Sequence, residues 1–178
     1  GKTTLFNLIT GVYTPTSGSI LYDDEGVTSL ESGSRVLEAR GVTLKFGRYF
    51  GKCQGNSCVE IFMLQENILR EDNTDHLPVN GEFYSGNFVD FKGSTTVKID
   101  GVLSDFPKTL LNNKPIFNTI GQPNAGDWGG IYLEYQDVNT HKQYLIDLNR
   151  SNIPKELRIY VGLIDSTIDQ IGEINNQN

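Results

Sequence analysis

Alternating apolar and polar residues mark two strands that begin just after residue 41. The apolar positions of the first strand are Val42, Leu44 and Phe46, and those of the second are Val59, Ile61 and Met63. A spacing of two residues places side chains on one face of a strand. We therefore predict two strands joined by a turn, with these six residues on the side that faces the core.

Several later segments show the same strand character. They are residues 82–84, 88–91 and 95–99, followed by residues 131–135 and 144–148. The last two alternate around residues 136–143, which predicts a hairpin with a rather long loop. Between these groups, residues 102–111 predict a short helix that is broken, or begun, at Pro107.

The clearest helical pattern lies near the C-terminus. Its apolar positions are separated by four and three residues in turn: Leu157, Val161, Ile164, Ile168 and Ile171. This spacing predicts one face of an amphipathic helix, with Asn152 and Pro154 at its N-terminal end. Because an antiparallel sheet usually buries one face, we expect an α+β fold with this helix packed on one face of the sheet.

Charge and hydropathy exclude two classes of partner. The net charge is −7, with 15 basic residues scattered among 22 acidic ones, so the surface should repel nucleic acid. No stretch of the sequence approaches the roughly 20 apolar residues that a membrane-spanning helix needs. A protein or a small molecule stays open as partner.

The first residues carry a phosphate-binding motif. Gly1-Lys2-Thr3-Thr4 matches the end of G-x-x-x-x-G-K-[ST], in which the Lys reaches phosphate oxygens and the next hydroxyl binds Mg²⁺. The residues that follow predict a helix ended by Gly11, then a turn and a short strand at residues 19–22.

With the following Pro15-Thr-Ser-Gly-Ser-Ile20, residues 1–24 resemble an ABC transporter ATPase of the branched-chain amino-acid import type. The resemblance implies ATP and Mg²⁺ as cofactors, with Gly1, Lys2, Thr3 and Thr4 at the nucleotide. It ends near residue 24, and the Q-loop, the signature motif, Walker B and the switch His of that family do not follow in matching context. We therefore expect a truncated fragment that does not hydrolyse ATP.

These patterns divide the chain into three parts. We predict the ABC-like fragment at residues 1–25, a linker or fusion seam at residues 26–41, and an α+β domain at residues 42–178. The fragment would belong in the cytoplasm.

Cys53 and Cys58 lie in the predicted turn between the first two strands. A disulfide that holds the turn and two unpaired thiols remain the main alternatives. A redox or metal site has little support, since the spacing is not C-x-x-C and His76 and His141 lack ligand spacing. Nothing in the sequence predicts a catalytic residue, and no G-x-S-x-G motif is present.

The most distinctive segment of the later chain is residues 121–130, Gly-Gln-Pro-Asn-Ala-Gly-Asp-Trp-Gly-Gly. It contains the only Trp. Such a loop can present an aromatic platform to a ligand, or it can fold the indole over the edge of the sheet, which we expect. If the loop binds, its contact surface would consist of Asp127, Trp128 and Tyr132.

The later chain also resembles small bacterial envelope or lipoprotein-like domains of unknown function. The residues that carry the resemblance are Phe50-Gly-Lys-Cys-Gln-Gly-Asn-Ser-Cys-Val-Glu-Ile61, the late hairpin and Pro154-Lys-Glu-Leu157. It implies a fold and a periplasmic or envelope location, but no mechanism. We expect a binding or structural role without enzymatic activity. The alternative is an ATP-binding fragment.

Overall fold

A seven-stranded sheet is the centre of the larger of two units in the chain. In the computed structural model these units are Gly1–Arg40 and Gly41–Asn178. The structure describes residues 21–22, 25–26, 41–52, 58–74, 76–93, 97 and 99–175.

In the first unit, the structure describes a two-stranded antiparallel ladder. Strand β1 (Leu21–Tyr22) pairs with β2 (Glu25–Gly26). The predicted strand at residues 19–22 overlaps β1. The motif Gly1–Thr4 and the helix predicted after it lie outside the described residues.

The sheet of the second unit contains seven strands in the order β6-β5-β4-β3-β8-β9-β7. Their bounds are β3 (Thr43–Tyr49), β4 (Val59–Gln65), β5 (Ile68–Asp72), β6 (Phe88–Asp90), β7 (Phe117–Ile120), β8 (Gly130–Gln136) and β9 (His141–Ile146). Neighbouring strands are antiparallel, except that β7 runs parallel to β9. The two sequence-adjacent hairpins, β3–β4 and β8–β9, meet in the middle of the sheet through β3 and β8.

One face of this sheet is covered by the C-terminal helix. After two short helices, α1 (Asp100–Ser104) and α2 (Lys108–Leu111), the chain forms α3 (Lys155–Asn175). All five apolar residues of the predicted helical face are buried in the core that α3 shares with the sheet. The predicted α+β fold, with a C-terminal helix on one sheet face, is confirmed.

A segment of the chain covers the opposite face of the sheet, and the sequence pattern did not indicate this. Residues 76–87, here called the covering segment, cross it, and Tyr84 packs there with Val59 and Ile61. The β4 side chains that face α3 are instead Phe62 and Leu64. Val59 and Ile61 are therefore buried as predicted, whereas Met63 is only partly buried. They lie on the face opposite to Leu44 and Phe46, because both faces of β4 are covered and alternation alone does not say which one meets the helix.

Other differences from the sequence prediction are local. The helical region 102–111 is split at Pro107, as expected, into α1 and α2. Residues 82–84 do not form a strand, and β5 and β7 were not predicted. The loop between β8 and β9 is only residues 137–140, shorter than predicted.

None of the helices in the described ranges combines the length and the apolar character needed to cross a lipid bilayer.

Candidate functional site

Two features that the sequence singled out meet at one end of the sheet. The Trp128 loop (residues 121–129) lies directly before β8, and residues 50–52 follow β3, its neighbour in the sheet. Their backbones approach closely at two glycines. A side chain at Gly51 would lie 2.8 Å from the Asp127 carbonyl oxygen, and one at Gly129 would lie 2.7 Å from the Phe50 Cα.

Backbone hydrogen bonds close the Trp128 loop on itself. Asn124 N–H donates to the Gly129 carbonyl at 2.8 Å, and Asp127 N–H donates to the Asn124 carbonyl at 3.0 Å. The base of the loop is held by Asp147, whose carboxylate accepts from Gln122 N–H at 2.9 Å. Backbone hydrogen bonds at both ends of a short loop restrict the positions that its side chains can occupy.

Trp128 projects from this loop into solvent. Its side chain is 76% exposed, so the expected packing of the indole over the sheet edge was wrong. Gly126 makes room for the ring, since a Cβ there would lie 3.1 Å from the indole Cδ1 and Nε1. Asp127 is also exposed, and its carboxylate lies 3.2 Å from the Lys52 ammonium.

Tyr132 does not belong to this surface. It is fully buried on the covered face, where its hydroxyl donates to Glu134. Of the three predicted contact residues, Asp127 and Trp128 therefore remain at this surface. Tyr132 was misplaced because its position on β8 points to the face that the covering segment occupies.

Beneath the Trp128 loop lies Tyr49, the last residue of β3. Burial raises the pKa of Tyr49 to about 12, an effect that the neighbouring Asn124 side chain only partly offsets. The buried hydroxyl makes no hydrogen bond of normal geometry with the part of the chain that the structure describes. A buried hydroxyl without a partner contributes nothing to offset its lost hydration.

Replacing Tyr49 with Phe is therefore expected to leave the free energy of unfolding unchanged or to raise it by up to about 1 kcal/mol, because the substitution removes a buried hydroxyl whose lost hydration nothing offsets. Tyr160→Phe is the matched control, because its buried hydroxyl donates to the Val102 carbonyl at 2.7 Å, and we expect it to cost about 1 kcal/mol. Urea unfolding of both variants measures the difference. Equal losses would mean that the Tyr49 hydroxyl has a partner in solution.

The covered face contains a second polar group, the Glu134 cluster, formed by Lys45, Tyr84, Tyr132, Glu134 and His141. One Glu134 oxygen accepts from Lys45 Nζ at 2.8 Å and lies 2.9 Å from His141 Nε2. The other oxygen accepts from the Tyr132 hydroxyl and, at 2.9 Å, from the Tyr84 N–H. The Glu134 side chain is 1% exposed, so these donors replace its water almost completely.

The electrostatics of this cluster favour a charged carboxylate. Burial alone would raise the pKa of Glu134, but hydrogen bonds from Lys45, Tyr132 and His141 outweigh burial and lower the pKa below 4.5. Burial, together with the nearby Glu134 charge, raises the pKa of Tyr132. A carboxylate saturated with donors and ionised at neutral pH is a poor general base. The cluster is suited to holding chain in place.

What it holds is the covering segment. The Tyr84 carbonyl accepts from Lys45 Nζ, and Gln143 on β9 bonds the backbone of Val79, Gly81 and Glu82.

Two aromatic rings of the covering segment also stack on histidines. Phe83 stacks on His141 at 3.4 Å between ring centroids, and Tyr84 stacks on His76 at 4.3 Å. Side chains of the sheet therefore replace the strand neighbours that an extended segment would otherwise need.

Asp72, at the end of β5, anchors the far side of the same segment. Its carboxylate accepts from the Tyr84 hydroxyl at 2.6 Å and from the Asn87 N–H at 2.7 Å. Burial would raise the pKa of Asp72, but these bonds and those from Thr74 outweigh it and lower the pKa below 3.8.

These two carboxylates predict the pH dependence of stability. Because the folded-state pKa is lowered in both, their contribution is complete above the unfolded-state values, 4.5 for Glu134 and 3.8 for Asp72, and is lost as the pH falls through the folded-state pKa. Urea midpoints should stay nearly level above about pH 5 and then fall steeply toward about pH 3. Asp72→Asn should flatten that fall, whereas Asp90→Asn, at an exposed carboxylate of β6, should not. A fall unchanged by Asp72→Asn would contradict this assignment.

The remaining sequence candidates are the cysteines and the histidines. Cys58 is buried beside Val59, whereas Cys53 lies outside the described residues, so a disulfide and unpaired thiols both stay open as predictions. Within the described ranges, no group of three or more His, Cys, Asp and Glu side chains could hold a metal ion. His141, expected on a polar loop, is the first residue of β9 and is half-buried against Glu134.

Sequence reasoning missed the Glu134 cluster. The signal was a charged residue at a strand position between apolar ones, Lys45 between Leu44 and Phe46, and Glu134 between Leu133 and Tyr135. The two become cross-strand neighbours only in the β3–β8 register. Opposite charges on directly paired strand residues favour each other.

The larger unit is thus an α+β domain with an antiparallel centre, one helix-covered face and one segment-covered face. No protein-family model, curated protein or solved structure matches the chain. Its function must therefore be argued from its own residues.

Proposed function

We propose that residues 42–178 form a non-enzymatic binding domain of a bacterial cell envelope, and that this domain contacts its ligand through Trp128 and Asp127. The proposal rests on the 76% exposure of Trp128 on a loop that backbone hydrogen bonds close. An indole this exposed does not contribute the free energy of burial that a large aromatic side chain usually adds to folding.

Preorganisation makes this loop suited to binding. Ordering a flexible loop costs free energy that is taken from the affinity, and the hydrogen bonds of the Trp128 loop are already made in the folded chain. Aromatic residues held in this way are frequent hot spots of recognition. The location rests on the sequence resemblance. A disulfide between Cys53 and Cys58, one of the two alternatives that the sequence leaves open, would agree with it, since disulfides persist in oxidising compartments such as the periplasm.

Co-sedimentation with an insoluble bacterial cell-envelope fraction tests the proposal. The full chain should bind saturably, and Trp128→Ala should lower the affinity about tenfold. Ile159→Ala is the matched control, because Ile159 is 85% exposed on α3 and its removal should leave binding unchanged. Equal binding by both variants and the wild type, or no binding by any, would contradict the proposal.

The alternative is an ATP-binding fragment that uses Gly1, Lys2, Thr3 and Thr4. Its support is the motif itself, which lies outside the described residues. Calorimetric titration of the full chain with ATP and Mg²⁺ tests it, with Lys2→Ala as the comparison. Saturable heat that Lys2→Ala removes would favour the alternative, and the binding-domain proposal expects no such heat.

A further inference from the structure

The surroundings of Trp128 are polar. Within residues 121–129 it is the one large apolar side chain, and its neighbours in the sequence include Gln122, Asn124 and Asp127. Other exposed large apolar side chains belong to different elements, among them Ile68 in β5, Val89 in β6 and Ile159 in α3. The loop thus presents a single indole beside charged and amide groups.

This composition separates three kinds of ligand. A protein partner is usually bound by a cluster of apolar and aromatic side chains, and neighbouring residues exclude water from this cluster. An anionic membrane surface would need basic residues, but the chain carries a net charge of −7. A sugar ring, by contrast, offers a flat face of C–H groups that matches the negative face of an indole, with hydroxyl groups at its rim.

We propose that the Trp128 loop binds a β-linked pyranose chain, with one sugar ring stacked on the Trp128 indole and its hydroxyl groups bonded by Asp127 and Lys52. This inference rests on the proposed binding function and names the chemical class of its ligand. Equatorial substituents leave axial C–H groups on both faces of such a ring, so the ring can lie flat on the indole.

The polar groups needed at the rim are in place. Asp127 and Lys52 lie 3.2 Å apart, and both side chains are well exposed, 61% and 74%. An exposed ion pair contributes little to stability, so sugar hydroxyls can take over its donors and acceptors at small cost. The missing Cβ of Gly126 leaves space beside the Cδ1 and Nε1 edge of the indole, and most of Trp128 is open to solvent.

Two soluble probes test the class, cellohexaose with hydroxyl groups only and chitohexaose with N-acetyl groups. Titration of the full chain should change the emission of its single Trp saturably with at least one probe. Calorimetry should show that Trp128→Ala weakens binding about tenfold, whereas Trp128→Phe, which keeps a ring, weakens it less. Ile159→Ala should bind like the wild type.

Asp127→Asn supplies an independent arm. Asp127 has a φ of 62°, a conformation that Asn also tolerates, so this variant removes the charge without disturbing the loop. We expect it to lower the affinity a few-fold for the probe that binds. If Trp128→Ala does not fold, the Trp128→Phe and Asp127→Asn variants still carry the test.

The outcomes separate this inference from the proposed function. Binding of either oligosaccharide that depends on Trp128 supports the inference, and the preferred probe identifies the glycan type. If neither oligosaccharide binds while Trp128-dependent binding to the envelope fraction persists, the sugar assignment is wrong and the binding function stands. Trp128-dependent binding to phosphatidylcholine vesicles, without sugar binding, would assign the loop to a membrane surface. If binding depends on Trp128 in none of these assays, both the sugar assignment and the proposed binding function are wrong.

Discussion

Glu134→Ala should lower the free energy of unfolding by about 3 to 5 kcal/mol, the largest effect that we expect from a single substitution. The change removes the carboxylate partner of the Lys45 ammonium, the acceptor of the Tyr132 hydroxyl and one of the two acceptors of the Tyr84 N–H. Truncating one partner of a buried charge pair costs more than the pair contributes, because the other charge stays desolvated. Urea unfolding at about pH 7 measures the loss.

The control for this substitution is Glu173→Ala. Glu173 is exposed on α3, so its replacement should change stability by less than about 0.5 kcal/mol. A loss below about 1 kcal/mol for Glu134→Ala would mean that water or a rearranged side chain replaces the carboxylate, and that the cluster does not hold the covering segment.

Gly129→Ala should cost about 3 kcal/mol or more, the second large effect. Gly129 has a φ of 89°, and a Cβ there would overlap the Tyr49 carbonyl oxygen and lie 2.7 Å from the Phe50 Cα. These are backbone atoms of β3 and the residues after it, so they cannot move aside by a rotamer change.

Gly81→Ala separates the steric clash from the backbone strain. Gly81 has nearly the same φ, 93°, but a Cβ there meets nothing within 4 Å. We expect this control to lose only about 1 to 2 kcal/mol, the cost of a left-handed conformation for Ala. Equal losses from both substitutions would show that residues 50–52 and the Trp128 loop do not pack as described.

Much of the fold could be predicted from local patterns. Positions two residues apart marked β3 and β4, and the five apolar residues spaced by four and three marked α3. Each of these elements buries a continuous face, so its period appears in its own sequence. Strands β5 and β7 were not predicted because they are short and lie toward the sheet edges, where little alternation is required. The pairing of β7 with β9 also joins residues distant in sequence.

The covered face shows the limit of such patterns more clearly. Residues 82–84 look like a strand, yet the Tyr84 N–H bonds to the side chains of Tyr132 and Glu134 and not to a neighbouring strand. Period-two alternation identifies two faces without saying what covers either one. The same ambiguity placed Tyr132 on a surface when it is buried.

The candidate site could be predicted only in part. The Gly-rich composition of residues 121–130 marked the loop, and the single Trp marked its distinctive side chain. The exposure of Trp128 could not be read from the sequence, because it depends on the close approach of the loop to Gly51 and the residues around it.

Trp128 lies on a loop closed by backbone hydrogen bonds and is open to solvent, and its fluorescence tests both properties most directly because the chain has no other Trp. Acrylamide quenching should approach that of free tryptophan, while the anisotropy should decay with the tumbling of the whole domain. Rapid local decay would instead show picosecond to nanosecond motion of the side chain. Poor quenching with blue-shifted emission would contradict the exposure of Trp128, and an anisotropy lost through local motion would contradict its preorganisation by the loop.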